Sequence, residues 1–134
     1  MTKTKFDQGM AVRRAVLGNA HVDRAQAGAT ELDADFQRFI TETAWGSVWA
    51  REQLSRRERS MLTIAMLAAL GHLEELALHL KATERTGASL QDVKEVLMQV
   101  AVYAGVPAAN AAFRVAKAHY AKNTKTPDAS AERT

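Results

Sequence analysis

The fold is decided by Ser55-Arg-Arg-Glu-Arg-Ser-Met-Leu-Thr-Ile-Ala-Met-Leu-Ala-Ala-Leu-Gly71. Ser55 and Glu58 stand at capping-box spacing, with a hydroxyl at the N-cap and a carboxylate three residues on. The run from Met61 to Leu70 is apolar on every side, so the helix it forms has to be buried all round. Gly71 ends or bends it.

Working outward, His72 to Thr86 resumes as an amphipathic helix and Gly87 closes it. Ser89-Leu-Gln-Asp92 is a second N-terminal signal, opening a helix through Tyr103. Gly105 and Pro107 interrupt the chain, and Pro107 suits the first turn of a last helix that uses Ala109, Ala112, Phe113, Ala116 and Tyr120. Upstream, Phe6 to Leu17 reads as a first helix with Gly18 as a left-handed cap. Residues Asn19 to Thr30 are polar and alanine-rich and read as a connection with one helical turn. Asp33 caps a helix that ends at Gly46, which leaves Trp45, Val48 and Trp49 in or beside a short linker. The whole is an all-α domain of about six to seven helices over residues 1–121, followed by a mobile polar tail, 122–134.

Composition agrees with one domain and narrows the function. A chain of 134 residues holds a single core. With 47% apolar and 25% charged residues it is too apolar for wholesale disorder. The absence of cysteine excludes disulfides, thiolate zinc sites, iron–sulfur clusters and thiol redox chemistry. No apolar run opens the chain as a secretory signal, which makes the cytoplasm the expected compartment. The uncharged stretches Ser60–Leu73 and Val96–Phe113 are too short or too interrupted to span a membrane. A net charge of +3 without a basic block, and 6% aromatics, argue against nucleic acid and suit a small anionic substrate. Two helices without a polar face are hard to hide in one small core, so a second copy is expected against one of them.

His72, Glu75 and His79 fall within a sector of about 60° on one helix, beside an apolar face. Glu75 and His79 are i,i+4 neighbours, so the carboxylate can orient the imidazole or raise its pKa. Three readings are open for the triplet: a solvated flank, a metal site, or acid–base catalysis with His79 carrying the proton. Three ligands spread over two turns of one helix converge poorly on an ion. His21 lies in the Asn19–Thr30 connection, and His119 sits where a cation favours the helix dipole. Among the arginine groups Arg13-Arg14, Arg51 and Arg56-Arg57, Arg59 stands apart. It leads into the apolar helix, so its stem is half-buried and its head paired. Trp45, Trp49 and Tyr103 serve either as core or as pocket walls.

Leu54-Ser-Arg-Arg-Glu-Arg-Ser60, the apolar helix, Glu74-Glu-Leu-Ala-Leu-His79 and Ala101-Val-Tyr-Ala-Gly-Val-Pro-Ala-Ala-Asn110 together resemble the carboxymuconolactone decarboxylase family. Gly9-Met-Ala-Val-Arg-Arg-Ala-Val-Leu-Gly18, Ala20-His-Val-Asp-Arg24 and Phe39-Ile-Thr-Glu-Thr-Ala-Trp-Gly-Ser-Val-Trp49 extend the resemblance over most of residues 9–117. It implies the helical fold of alkylhydroperoxidase D, a homo-oligomer that is commonly a hexamer, and a role in the β-ketoadipate route of aromatic catabolism. Peroxidase relatives carry Cys-x-x-Cys with a histidine four residues on; here His72 and Glu75 stand in the cysteine places ahead of His79, which excludes thiol peroxidase activity. The implied substrate is a dicarboxylate lactone that loses CO2 without cofactor or metal. On that basis His79 is the expected proton donor with Glu75 orienting it, Arg14 or Arg59 the carboxylate clamp, and His21, Trp49 and His72 further substrate contacts. A noncatalytic oligomeric binding module, a decarboxylase of a related lactone and a metal-dependent oxygenase are the alternatives.

Overall fold

A computed structural model of the chain describes residues 3–123. The expected tail lies outside these residues, apart from its first two positions, Lys122 and Asn123, which end the last helix. All regular structure among the described residues is helical: α1 (Lys5–Leu17), α2 (Asn19–Ala27), α3 (Ala34–Ile40), a π-helix (Thr41–Trp49), α4 (Arg56–Leu70), α5 (Leu73–Thr86), α6 (Leu90–Ala104) and α7 (Val106–Asn123). No helix there is long and apolar enough to cross a membrane.

Local signals act where they were expected. Ser55 and Glu58 close a reciprocal capping box on α4, as Ser89 and Asp92 do on α6. Gly71 and Gly87 end α4 and α5 in the left-handed conformation, where a Cβ would be strained. Arg57 then clips the two boxed helix starts together, donating from Nε and Nη2 to the Asp92 carboxylate at 2.8 and 2.6 Å.

Four expectations about element bounds and caps need correction. Asn19–Ala27 is a nine-residue helix rather than a connection, and it buries Val22. Gly18 has a positive φ but an extended ψ, so it links α1 to α2 without being a left-handed helical cap. Asp33 stands at the N-cap position of α3, but its carboxylate accepts from the backbone N–H of Thr30 in the preceding turn and makes no capping bond to the helix. Finally, the helix begun at Ala34 does not stop at Gly46; it widens to i→i−5 bonding, with Ala50 N–H donating to the Trp45 carbonyl at 3.0 Å, and runs to Trp49.

That widened helix exists because of what it packs against. α1 buries Gly9, Val12, Arg13, Val16 and Leu17, a helical stripe, mainly onto the π-helix. Gly9 faces the Thr41 carbonyl and the Gly46 nitrogen, while Gly46 faces the Lys5 carbonyl; a Cβ on either glycine would enter those backbones.

Two apolar clusters share α5. Leu76 and Leu80 turn to one built with Ile64, Leu97 and Ala112, from α4, α6 and α7. Leu78 and Ala82 turn to the other, built with Val12, Val16, Val22 and Trp45. The apolar α4 is not buried all round within the chain. Ile64 and Ala68 are inside, whereas Leu62, Met66 and Leu70 are exposed.

Candidate active site

His79 leaves α5 on the side of the second cluster, between Leu78 and Ala82 in height. The π-helix delivers two indoles to it. Trp45 is buried with its ring centroid 6.4 Å from the imidazole and its plane within 9° of it; Trp49 is half-buried at 6.2 Å and 26°. The two indoles are themselves 5.0 Å apart. Because the surrounding surfaces are aromatic and aliphatic, His79 Nδ1 is buried with no hydrogen-bond partner among the described residues. The ring is only partly buried as a whole, which leaves Nε2 as the edge open to a ligand.

Burial holds the His79 pKa down at about 4, with the charge of His21 acting in the same direction and Glu75 opposing. The imidazole is therefore neutral near pH 7. His21, on α2 rather than in a loop, is also lowered, first by its own burial and then by Arg13, Arg24 and Lys81. The site is thus a dry aromatic wall with a nest of positive charge behind it, the setting in which an anion is attracted and a proton becomes easier to hold once the anion arrives.

The expected residues divide. His79 and Trp49 touch, and His21 and Glu75 lie close enough for their charges to reach the ring. Glu75 is exposed and forms no hydrogen bond or ion pair among the described residues, so it acts on His79 through space. His72 is exposed at the N-cap of α5. Arg14 is engaged elsewhere, paired with Asp23 at 2.9 Å and bonded to Asn19 and Gln26. Arg59 is half-buried, donates from Nη2 to the Arg51 carbonyl at 3.3 Å, and has a buried Nε without a partner. Tyr103 is exposed on α6 and walls nothing near His79. His119 meets Tyr120 edge-on.

Trp45 and Arg13 carry more of the geometry than their sequence context suggested. Arg13 occupies the interior stripe of α1 and is buried. Its periodicity with Gly9, Val12, Val16 and Leu17 was the available signal, masked by its place in an Arg-Arg pair.

Comparisons with known proteins bear on this arrangement. Residues 34–118, which include the π-helix and all of α5, match the profile described as the carboxymuconolactone decarboxylase family. A relative named 4-carboxymuconolactone decarboxylase from Acinetobacter baylyi is 43% identical over 113 residues, covering 84% of each chain. A relative named nitrosuccinic acid decarboxylase npaB from Metarhizium robertsii is 38% identical over 102 residues, 76% of this chain and 71% of its own length. A 4-carboxymuconolactone decarboxylase from Pseudomonas putida is 50% identical over 44 residues, 33% of this chain and 92% of the sequence it matches.

Proposed function

The chain belongs to the carboxymuconolactone decarboxylase family and is a carboxy-lyase, and we propose that its substrate is 4-carboxymuconolactone, converted in the cytoplasm to 3-oxoadipate enol-lactone and CO2 on the protocatechuate branch of the β-ketoadipate route. The observation that carries the proposal is the seat of His79, a neutral imidazole held against two indoles in a chain that aligns with a relative of that name across most of both lengths.

The chemistry needs little from the protein. In this lactone the leaving carboxylate sits on the ring carbon next to oxygen, conjugated through a C=C bond to the lactone carbonyl. When the C–CO2 bond breaks, its electron pair moves along the conjugation to the carbonyl oxygen and gives a dienolate. Protonation at the carbon beside that carbonyl completes the product. The substrate is its own electron sink, so the tasks left are to hold the acetate arm, stabilise the growing oxyanion and supply one proton.

In this reading His79 supplies the proton. Its low pKa in the free protein is offset by the two carboxylates of the substrate, whose charge favours the imidazolium when they arrive, with Glu75 adding in the same direction. Trp45 and Trp49 exclude water from the dienolate, and His21, whose own pKa is lowered, adds a neutral imidazole beside the ring. Arg59, whose Nε is buried and unpartnered, is preferred over the engaged Arg14 as the carboxylate clamp.

The nitrosuccinic acid decarboxylase favours a second, wider reading. In nitrosuccinic acid the leaving carboxylate is on the carbon bearing the nitro group, which accepts the electron pair as a nitronate, while a second carboxylate remains as a handle. A carboxylate handle plus a neutral electron sink is what the two named substrates share.

The protein is further proposed to act as a homo-oligomer, with a second copy covering the apolar groove of about 620 Å³ between α4 and α6. The hexamer implied by the sequence resemblance is the expected form.

The test is NMR of chelator-treated protein with 4-carboxymuconolactone in D2O. Cofactor-free loss of CO2, with one deuterium placed beside the lactone carbonyl, is the expected result. Unchanged lactone with folded protein would turn the assignment to a related substrate or to a binding module.

A further inference from the structure

Arg13 is a cation with nowhere to put its charge. Its side chain is more than nine-tenths buried, and its hydrogen-bond partners among the described residues are neutral: the Gln37 amide oxygen at 3.1 Å from Nη2 and the Thr41 hydroxyl at 3.4 Å from Nη1. No carboxylate pairs with it among the described residues, although its neighbour Arg14 has taken Asp23. Burial and the charge of Arg14 both press its pKa downward. A guanidinium cannot answer by losing its proton, so the remaining relief is an anion.

Room for one lies alongside. A cleft of about 370 Å³ opens between α1 and α3, with Arg13, Gln37 and Thr41 in its wall. That volume is in the range of small-ligand sites. Phe6 and Met10 give it an apolar side. The charges around the rim define what fits. Arg38 is satisfied by Glu42 at 3.6 Å and by the Phe6 ring 4.8 Å below its guanidinium. Asp35 contributes a negative charge to the lining. Among these cations Arg13 is the one without a carboxylate partner in the described residues, and a second negative charge on the ligand would meet Asp35.

We propose that this cleft binds a small organic monocarboxylate, its carboxylate on Arg13 and its short apolar tail against Phe6 and Met10. The proposal goes beyond the decarboxylase reading; none of the residues lining the cleft belongs to the wall around the imidazole, although the charge of Arg13 reaches His21. Gln37 lies in α3 and Thr41 opens the π-helix that continues it, so the bound acid ties α1 to the helix that carries Trp45 and Trp49.

Thermal melting with sodium butanoate as the probe, against sodium chloride at equal ionic strength, tests it. Butanoate is expected to raise the midpoint with the logarithm of its concentration above Kd, by roughly 5 °C at ten times Kd. Succinate, with its second charge, is expected to do less, and Asp35→Asn to narrow that gap. Arg13→Met abolishes the butanoate increment. Because Arg13→Met removes two interhelix bonds and can fail to fold, Ala34→Trp serves as the second variant: it fills the cleft, leaves Arg13 in place, and also abolishes the increment. Equal midpoints in butanoate and chloride for the unaltered protein, or a full increment retained by Ala34→Trp, overturn the proposal.

Discussion

The imidazole of His79 lies nearly parallel to the buried indole of Trp45, 9° between planes and 6.4 Å between centroids, with Nδ1 unpartnered on the buried side. An ionisable ring so placed couples folding to protons. The unfolded chain takes this proton near pH 6.5, the folded chain only at about 4. Acid therefore favours the unfolded state between those values. The contribution of His79 is full above pH 6.5 and is lost as the pH falls through that interval, by about 2 kcal/mol between pH 7.5 and 5. Urea unfolding at the two pH values, compared between the unaltered protein and His79→Gln, measures it, because the other histidines cancel in the difference. Equal pH dependence in both proteins would mean the ring is not desolvated.

Gly9 and Gly46 let two helix backbones touch, and neither tolerates a methyl group. Gly9→Ala drives a Cβ into the Thr41 carbonyl and the Gly46 nitrogen, atoms that belong to helix backbone and cannot swing aside. The expected loss is at least about 3 kcal/mol, at the upper end for overpacking. Gly71→Ala is the control. Its site has a φ of 76° with nothing near the added Cβ, so only backbone strain of about 1–2 kcal/mol applies. Chemical denaturation orders the two; a Gly9→Ala protein as stable as Gly71→Ala would contradict the close packing.

How far the sequence could be read follows from how local each cause is. The capping boxes at Ser55 and Ser89 and the stops at Gly71 and Gly87 depend on residues within one turn, and they were legible. The π-helix was not. Its i→i−5 bonding is set by the approach of α1 across Gly9 and Gly46, positions 37 residues apart. For the same reason Trp45 and Trp49 were placed in or beside a linker, and although they read as core or pocket walls, the sequence did not show that both meet His79. His79 itself emerged from its helical sector, but its neighbours come from an element some 30 residues upstream that no periodicity on α5 encodes. α2 was missed because it buries only Val22 and carries little apolar pattern. On α4 the apolar pattern was legible and its destination was not, since Leu62, Met66 and Leu70 face out of the chain.

That outward surface makes its own prediction. Met66 and Val102 are 56% and 77% exposed on adjoining helices, and each sits away from the intrachain core. A second copy covering them would take this apolar surface out of water, the main force that holds subunits together. Met66→Glu with Val102→Glu is expected to lower the sedimentation mass toward 14.7 kDa while helical circular dichroism is retained. An unaltered protein that sediments as a monomer, or a variant that keeps the unaltered mass, would place the interface elsewhere or nowhere.

Proton delivery by His79 requires a pH profile of a particular shape. With a pKa of about 4 in the free protein, the imidazolium fraction at pH 7 is roughly one in a thousand. kcat/KM reports ionisations of the free enzyme, whereas kcat reports those of the complex. Two substrate carboxylates beside the ring favour the imidazolium, so the pKa of the complex lies higher. Hence kcat/KM is expected to fall tenfold for each pH unit between about 5 and 8, while kcat stays level until the raised pKa is passed. His79→Gln is expected to lower kcat by roughly 10²–10⁴ and to remove the slope. A kcat/KM level across that range in the unaltered enzyme would mean that the neutral ring or another group gives the proton. Near-normal turnover in His79→Gln would take His79 out of the reaction altogether and leave the indole wall as a binding surface.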